Sequence, residues 1–234
     1  MEKMEENRYA RQAALPEIGP EGQRRLREAS VLVVGVGGLG GPAALSLAGA
    51  GVGRIGLVDD DVVSLTNLHR QVLYDETEAV AGMAKVQAAA RRLLALNSNV
   101  RCCPHKVRLT PDNADEILTG YDIVVDGCDN YATRYLIDEW TAKHRVPYVY
   151  GAVAGFEGQV SVFNAGFPPR RYRELYPTEP EGVPERRVVG MVTAVVGAVQ
   201  AHEVLKLACG YGETLAGRLW TVDLLTMQSH VLDF

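Results

Sequence analysis

VLVVGVGGLGGPAALSLAGAGVGRIGLVDDDVVSLTNLHR, residues 31–70, decides the fold. Val31–Val34 is a continuous apolar run, as expected for a parallel strand buried on both faces. Gly35, Gly37 and Gly40 then fit G-x-G-x-x-G, and an alanine-rich helix follows from about Leu39 to Ala50. Glycines at these positions allow a tight turn and a close approach of phosphate to backbone. The helix start adds free N–H groups and a positive dipole end. A second strand, Arg54–Val58, runs into Asp59, Asp60 and Asp61. An acid about 20 residues past the loop is where a ribose hydroxyl finds its acceptor. Strand, loop, helix, strand and acid stand in the order that nucleotide binding requires.

Outward from this stretch, strands and helices alternate. A polar connection, Tyr74–Glu78, leads to a helix over Met83–Leu96, whose Val86, Ala89, Ala90, Leu93 and Leu94 share one face. Val100–Cys103 reads as a short strand, and Pro111–Leu118 as a helix capped by Thr110. Asp122–Asp126 holds the next strand, and Asp129 is placed to cap a helix running to about His144. Tyr148–Gly151 is another strand. This alternation predicts an α/β, Rossmann-like, mostly parallel sheet with helices on both faces. After Gly151 the pattern changes. Gly158–Phe163 alternates its faces as a strand. Residues 164–187 show no periodicity and contain five prolines, which predicts a long crossing loop that is either mobile or functional. Met191–Ala208 is an apolar helix stopped by Gly210, and Arg218–Asp223 and Ser229–Leu232 close the chain as antiparallel strands. The expected organisation is one domain over 1–234: an N-terminal helical arm (1–30), a nucleotide-binding half (31–151) and a second half (152–234).

Composition fits this picture. The chain has 234 residues, with 47% hydrophobic and 23% charged, ordinary values for a globular protein. A net charge of −5 argues against a nucleic-acid partner. The first 30 residues are charged and lack an apolar signal core, and the longest largely apolar stretch, Met191–Ala201, is too short to span a bilayer. A cytoplasmic protein with no membrane partner is expected. Cys102, Cys103, Cys128 and Cys209 form no C-x-x-C pair and read as buried free thiols.

The polar residues narrow the ligand. Asn67 and Arg70 lie just beyond the acidic strand end. Lys85 sits in a first helical turn, where a cation is unfavourable for the helix dipole. In an open parallel sheet the ligand lies outside the carboxyl ends of the strands, so Asp59, Asp61 and Asp129 should face one crevice. Acids for ribose and metal, two cations for phosphates and a glycine cradle suit a triphosphate with Mg²⁺ better than the diphosphate of NAD. There is no G-x-x-x-x-G-K-[ST], so the chain is not a P-loop NTPase. A nicotinamide oxidoreductase would explain the glycines but leave Asn67, Arg70 and Lys85 idle. A non-catalytic nucleotide-binding protein is the other alternative.

These residues together resemble the ThiF/MoeB/HesA family, bacterial relatives of the ubiquitin-activating enzymes. The resemblance spans nearly the whole chain. It includes RYARQ (8–12), GVGGLG (35–40), DDDVVSLTNLHRQ (59–71), Lys85, DGCDN (126–130), GFEGQVSVF (155–163) and GAVQAHEVLKL (197–207). The stretch AALSLAGAGVGR (43–54) is most similar to the ThiF branch. The resemblance implies an ATP-dependent adenylyltransferase that activates the C-terminal Gly-Gly carboxylate of a small ubiquitin-like carrier protein. It implies that Gly38 lines the nucleotide and Asp59 holds the ribose, with Gly35, Gly37, Gly40, Asp61, Gln71 and Asn130 also in the nucleotide site. Asn67, Arg70 and Lys85 would face the phosphates, with Asp129 as the Mg²⁺ ligand. Arg11 would be an arginine finger reaching the other subunit of a homodimer. Arg11, Arg70, Lys85 and Asp129 are thus the expected catalytic set.

Two departures stand out. The family's first zinc C-x-x-C falls on Arg171–Glu174 here, and its second would lie beyond Phe234, so no structural zinc site is expected. The crossing-loop cysteine used by members that bond covalently to their carrier falls on Arg186. Adenylation without a covalent bond at that loop is therefore expected; the rival expectation is activation redirected to another acceptor or carboxylate substrate.

Overall fold

The computed structural model describes residues 2–181 and 187–234, with side chains from residue 8 onward. The expected crossing-loop position, Arg186, lies outside the described residues. Eight strands form one sheet in the order β3-β2-β1-β4-β5-β6-β7-β8. β1 (Ser30–Val34), β2 (Arg54–Val58), β3 (Arg101–His105), β4 (Ile123–Asp126) and β5 (Tyr148–Ala154) run parallel. β6 (Glu157–Phe163), β7 (Arg218–Asp223) and β8 (Gln228–Asp233) add on antiparallel. The α/β reading and the antiparallel C-terminal end therefore hold.

Each face of the sheet has its own core. One holds Leu26, Val31, Val33, Leu47, Ile55, Leu57 and Leu93 together with Val196 and Val204. It is covered by α2 (Gly19–Glu28), α3 (Gly40–Ala50), α5 (Lys85–Leu96) and α9 (Gly190–Cys209). The other holds Leu32, Val124, Ile137, Trp140, Tyr148 and Phe163 under α6 (Ala114–Leu118), α7 (Tyr131–His144) and α8 (Tyr172–Leu175). Alternate residues of β1 divide between the two cores, as the pleat requires.

Several element ends differ from the sequence reading, each for a local reason. α4 (Glu76–Val80) begins inside the expected polar connection, because Asp75 and Glu78 form a reciprocal capping box. α5 starts at Lys85 rather than Met83, since Ala84 is taken by a bridge to Val62. β3 continues through Pro104. It is the outer strand, so the missing N–H costs no ladder bond. α6 starts at Ala114, three residues after Pro111. Thr110 is not its cap; its N–H donates to Asn113 Oδ1. Asn130, not Asp129, caps α7: its side chain accepts from Thr133 N at 2.9 Å. β5 runs three residues past Gly151 and turns into β6 through Gly155, at φ +58°.

α9 spans 20 residues and is long and apolar enough to cross a bilayer by length and composition, where the sequence reading put the apolar stretch too short. It is packed against α3, β5 and β6, and carries the buried polar residues Gln200 and Glu203. Glu203 accepts from Leu215 N and from Lys206 Nζ. These are the contacts of a core helix. Cys128 and Cys209 are buried free thiols, whereas Cys102 and Cys103 are only half-buried, because they lie on the outer strand β3.

The N-terminal arm is helical. α1 (Glu2–Ala13) packs against α2. Three side chains fasten α1 to the ends of other helices. Arg8 donates to Leu96 O, Gln12 to Ala50 O, and the Tyr9 hydroxyl accepts from Asn97.

Candidate functional site: a cleft at the strand ends

The strand order reverses between β1 and β4, and a ligand crevice opens at such a point. Backbone meets backbone there. A Cβ on Gly35 would lie 2.6 Å from Gly127 O, and one on Gly40 would lie 1.8 Å from Gly35 O. Only glycine lets β1, β4 and the start of α3 converge this closely. A cleft of about 1040 Å³ lies over the junction.

Eleven of the twelve nucleotide residues expected from the sequence line this cleft: Gly35, Gly37, Gly38, Asp59, Asp61, Asn67, Arg70, Gln71, Lys85, Asp129 and Asn130. The twelfth, Gly40, is buried beneath as the first residue of α3. Arg11 is exposed on α1 and is not part of the cleft wall.

Asp59 ends β2. Its Oδ2 accepts from Val36 N and its Oδ1 from Asp61 N, both at 2.9 Å. Burial pushes its carboxyl above the ordinary aspartate range, opposed by the nearby Lys85 charge. Each oxygen keeps capacity for another donor, as a ribose hydroxyl would need. Lys85 is 5% exposed and donates through Nζ to Asp61 Oδ2 at 2.8 Å. Asp61 also accepts from the Lys85 backbone N–H, so it anchors the cation that the helix dipole disfavours. Arg70 bonds back to Thr66 O and to the neighbouring His69 ring.

Gln71 is the most informative of these residues. It is 4% exposed and lines the cleft, and its Oε1 has no hydrogen-bond partner among the described residues. A buried acceptor left unmet costs about 1–3 kcal/mol. A Cβ on Gly37 would sit 3.4 Å from the Gln71 amide nitrogen, and one on Gly38 would sit 3.3 Å from Thr193. The cradle thus has a floor with an unmet acceptor, and a side chain at Gly38 would fit only if Thr193 gave way slightly.

The cleft extends past the nucleotide end into a second region that motif reading missed. Tyr150, Gln159, Tyr172 and Tyr176 line it, with Arg134 behind. Gln159 donates to the Tyr150 hydroxyl at 2.8 Å. Tyr172 is held through its N–H by Asp138 Oδ1, and Arg171 donates to the other oxygen of the same buried carboxylate. Arg171–Glu174, where the family resemblance puts the first cysteine pair, is closed by Glu174 accepting from Arg171 N and from Arg170. Part of the expected structureless loop is therefore a short anchored helix. One signal could have found Arg134. It stands in the first turns of α7, where a cation opposes the dipole, the same anomaly that marked Lys85.

Comparison with known proteins supports a single lineage. The ThiF family model matches residues 9–234. The sulfur carrier protein adenylyltransferase of Thermus thermophilus is 49% identical over 232 residues, covering 95% of this chain and 85% of the relative. The probable adenylyltransferase/sulfurtransferase MoeZ of Mycobacterium tuberculosis is 45% identical over 228 residues, covering 94% of this chain. This chain spans 58% of the length of MoeZ. The fold matches crystal structures of PaaA (TM-score 0.84, 25% identity, covering 98% of this chain and 73% of the other). It also matches Escherichia coli MccB solved with ATP (TM-score 0.80, 22% identity, covering 91% and 66%). With the family model matched from residue 9 to residue 234, the chain belongs to the ThiF family.

Proposed function

We propose that this protein is an ATP-dependent adenylyltransferase acting on the C-terminal carboxylate of a small ubiquitin-like sulfur-carrier protein. The observation that carries this reading is a single cleft that presents Asn67, Arg70, Lys85 and Asp129 beyond the glycine cradle and Asp59. A dinucleotide needs the cradle and Asp59, but leaves the cations beyond them unused. A nucleoside triphosphate uses both. The Thermus thermophilus relative, a sulfur carrier protein adenylyltransferase, supports the same substrate class.

In this reading the carrier carboxylate oxygen attacks the α-phosphorus of ATP. A new C–O–P bond forms, the bond to the β-phosphate oxygen breaks, and pyrophosphate leaves with the electron pair. The product is an acyl-adenylate. Asp59 orients the ribose, while Asn67, Arg70 and Lys85 hold the phosphates and meet the charge that builds on pyrophosphate. Asp129, at the opposite lip, offers a carboxylate to a hard cation, and Mg²⁺ there would supply further charge stabilisation. Tyr150, Gln159 and Tyr172 wall the path by which the carrier tail enters.

The domain organisation follows: residues 31–151 bind nucleotide and 152–234 receive the carrier. Arg11, exposed and outside its own cleft, is assigned to the cleft of a second copy in a homodimer. No cysteine lies between Cys128 and Cys209, so the acyl-adenylate is released to an acceptor without a carrier bond at the crossing loop. The reading places the protein in the cytoplasm, without nucleic-acid or membrane partners.

ATP–pyrophosphate exchange with purified Gly-Gly carriers tests the proposal. Carrier-dependent exchange that is lost in Asp129→Ala supports it. An NAD-induced rise in melting temperature with no response to ATP overturns it.

A further inference from the structure

We propose that Arg134 and Asp126 form a buried positioning pair that sets the main chain carrying Asp129 and Asn130, and that the same guanidinium ties the nucleotide end of the cleft to its β5 wall. The proposal rests on the adenylyltransferase reading for its kinetic consequence, though not for its structural one.

Asp126 is fully buried at the end of β4. Its carboxylate takes three donors: Cys128 N at 2.8 Å, Arg134 Nε at 3.0 Å and the Tyr148 hydroxyl at 3.0 Å. Its backbone carbonyl accepts from Gln200 Nε2 at 2.7 Å. Arg134 is 5% exposed and donates through Nη2 to Cys128 O at 3.0 Å and to Gly151 O at 3.3 Å. Cys128 is thus gripped at both ends of its peptide, its N–H by Asp126 and its carbonyl by Arg134. Asp129 and Asn130 follow directly in the chain. Asn130 then caps the helix on which Arg134 stands. Residues 126–134 close on themselves, and the two charged side chains are the closure.

Stability alone does not call for such a pair. Two desolvated charges gain little over well-packed apolar residues of the same volume. An apolar pair, however, would leave the Cys128 carbonyl and the Gly151 carbonyl free to move. The guanidinium also faces the Tyr150 ring at 5.4 Å, and the Tyr150 hydroxyl is bonded to Gln159. One residue therefore touches the loop at the phosphate end, the middle of β5 and the aromatic wall of the second region. Lysine cannot reproduce this, because a single ammonium lacks the planar fork that reaches two carbonyls and a carboxylate together.

Arg134→Lys, with residue-resolved amide exchange and ATP–pyrophosphate exchange, is the test. The Cys128 amide is expected to exchange about tenfold faster or more, with β1 amides unchanged, and kcat to fall about tenfold or more at a nearly constant KM for ATP. Leu26→Ala, a core truncation outside the cleft wall, serves as a destabilised control with kcat retained. Should Arg134→Lys fail to fold, Tyr148→Phe removes one donor to Asp126 and is read in the same way with smaller effects. An unchanged Cys128 amide overturns the positioning claim. A faster amide with unchanged kcat overturns its link to the reaction, as does Leu26→Ala reproducing both effects. Wild-type protein inactive with every carrier refutes the adenylation reading instead, and the amide result still decides the positioning claim.

Discussion

The two ends of the sheet are built on different principles. β1, β2 and β4 are buried almost throughout, on both faces, whereas every residue of β8 is exposed and most of β7 is half-exposed. The parallel end contributes to the cleft from strand ends and the turns that follow them: Gly35, Asp59, Asp129. The antiparallel end contributes from strand faces: Gln159 on β6 and Thr221 on β7. A turn fixes its residues through local backbone geometry and so leaves a motif. A strand face fixes its residues through neighbours distant in sequence, and leaves little.

Substitutions can break this comparison. The largest effect is expected at Lys85. Lys85→Ala should lower ATP–pyrophosphate exchange by about a hundredfold or more, corresponding to about 3 kcal/mol in the barrier. Thermal stability should hold, because the abandoned partner Asp61 is itself exposed. Next comes Gly40→Ala. Its Cβ would press on a backbone oxygen that cannot rotate away, so a loss near the upper end of about 1–3 kcal/mol is expected in chemical denaturation. A stability equal to wild type would show that the β1–β4–α3 junction has slack.

A smaller effect concerns pH. Burial holds the Asp59 proton more tightly in the folded protein than in the unfolded chain. Its contribution to stability is therefore fully present below the unfolded carboxyl value, and is lost as pH rises through the higher folded value. Nucleotide affinity should run the opposite way, rising as the proton leaves and the carboxylate can accept from ribose. Calorimetric titration across the acid range should show this rise in wild type and a flat profile in Asp59→Asn. Smallest of all, Val231→Thr on the outer strand should change stability by no more than about 0.5 kcal/mol, in contrast to any methylene lost from β1.

Legibility in the sequence followed the same division. The cradle, Asp59 and the N-L-H-R-Q run could be read because adjacent residues do one job together. Asp129 was read correctly as cleft-facing but wrongly as a helix cap. Two neighbouring residues could cap, and only the three-dimensional turn hands that bond to Asn130. Pro104 misled for a related reason: its tolerance depends on β3 lying at the edge, which is a property of strand order and not of local sequence. Arg134 and Asp126 went unread because they stand eight residues apart and meet only where α7 folds back on the end of β4. Tyr150 and Tyr172 belong to no motif, and both are nearly fully buried while still touching the cleft.

The fastening of α1 bears on how the protein should be handled. Arg8 and Gln12 deliver donors to the carbonyl ends of α5 and α3, where the helix dipoles are negative. A shortened recombinant version beginning at Ala14 would strip both helices of these contacts and uncover the Tyr9–Asn97 seam. Purification handles are better placed ahead of Met1, with spacer enough to leave the first helix undisturbed.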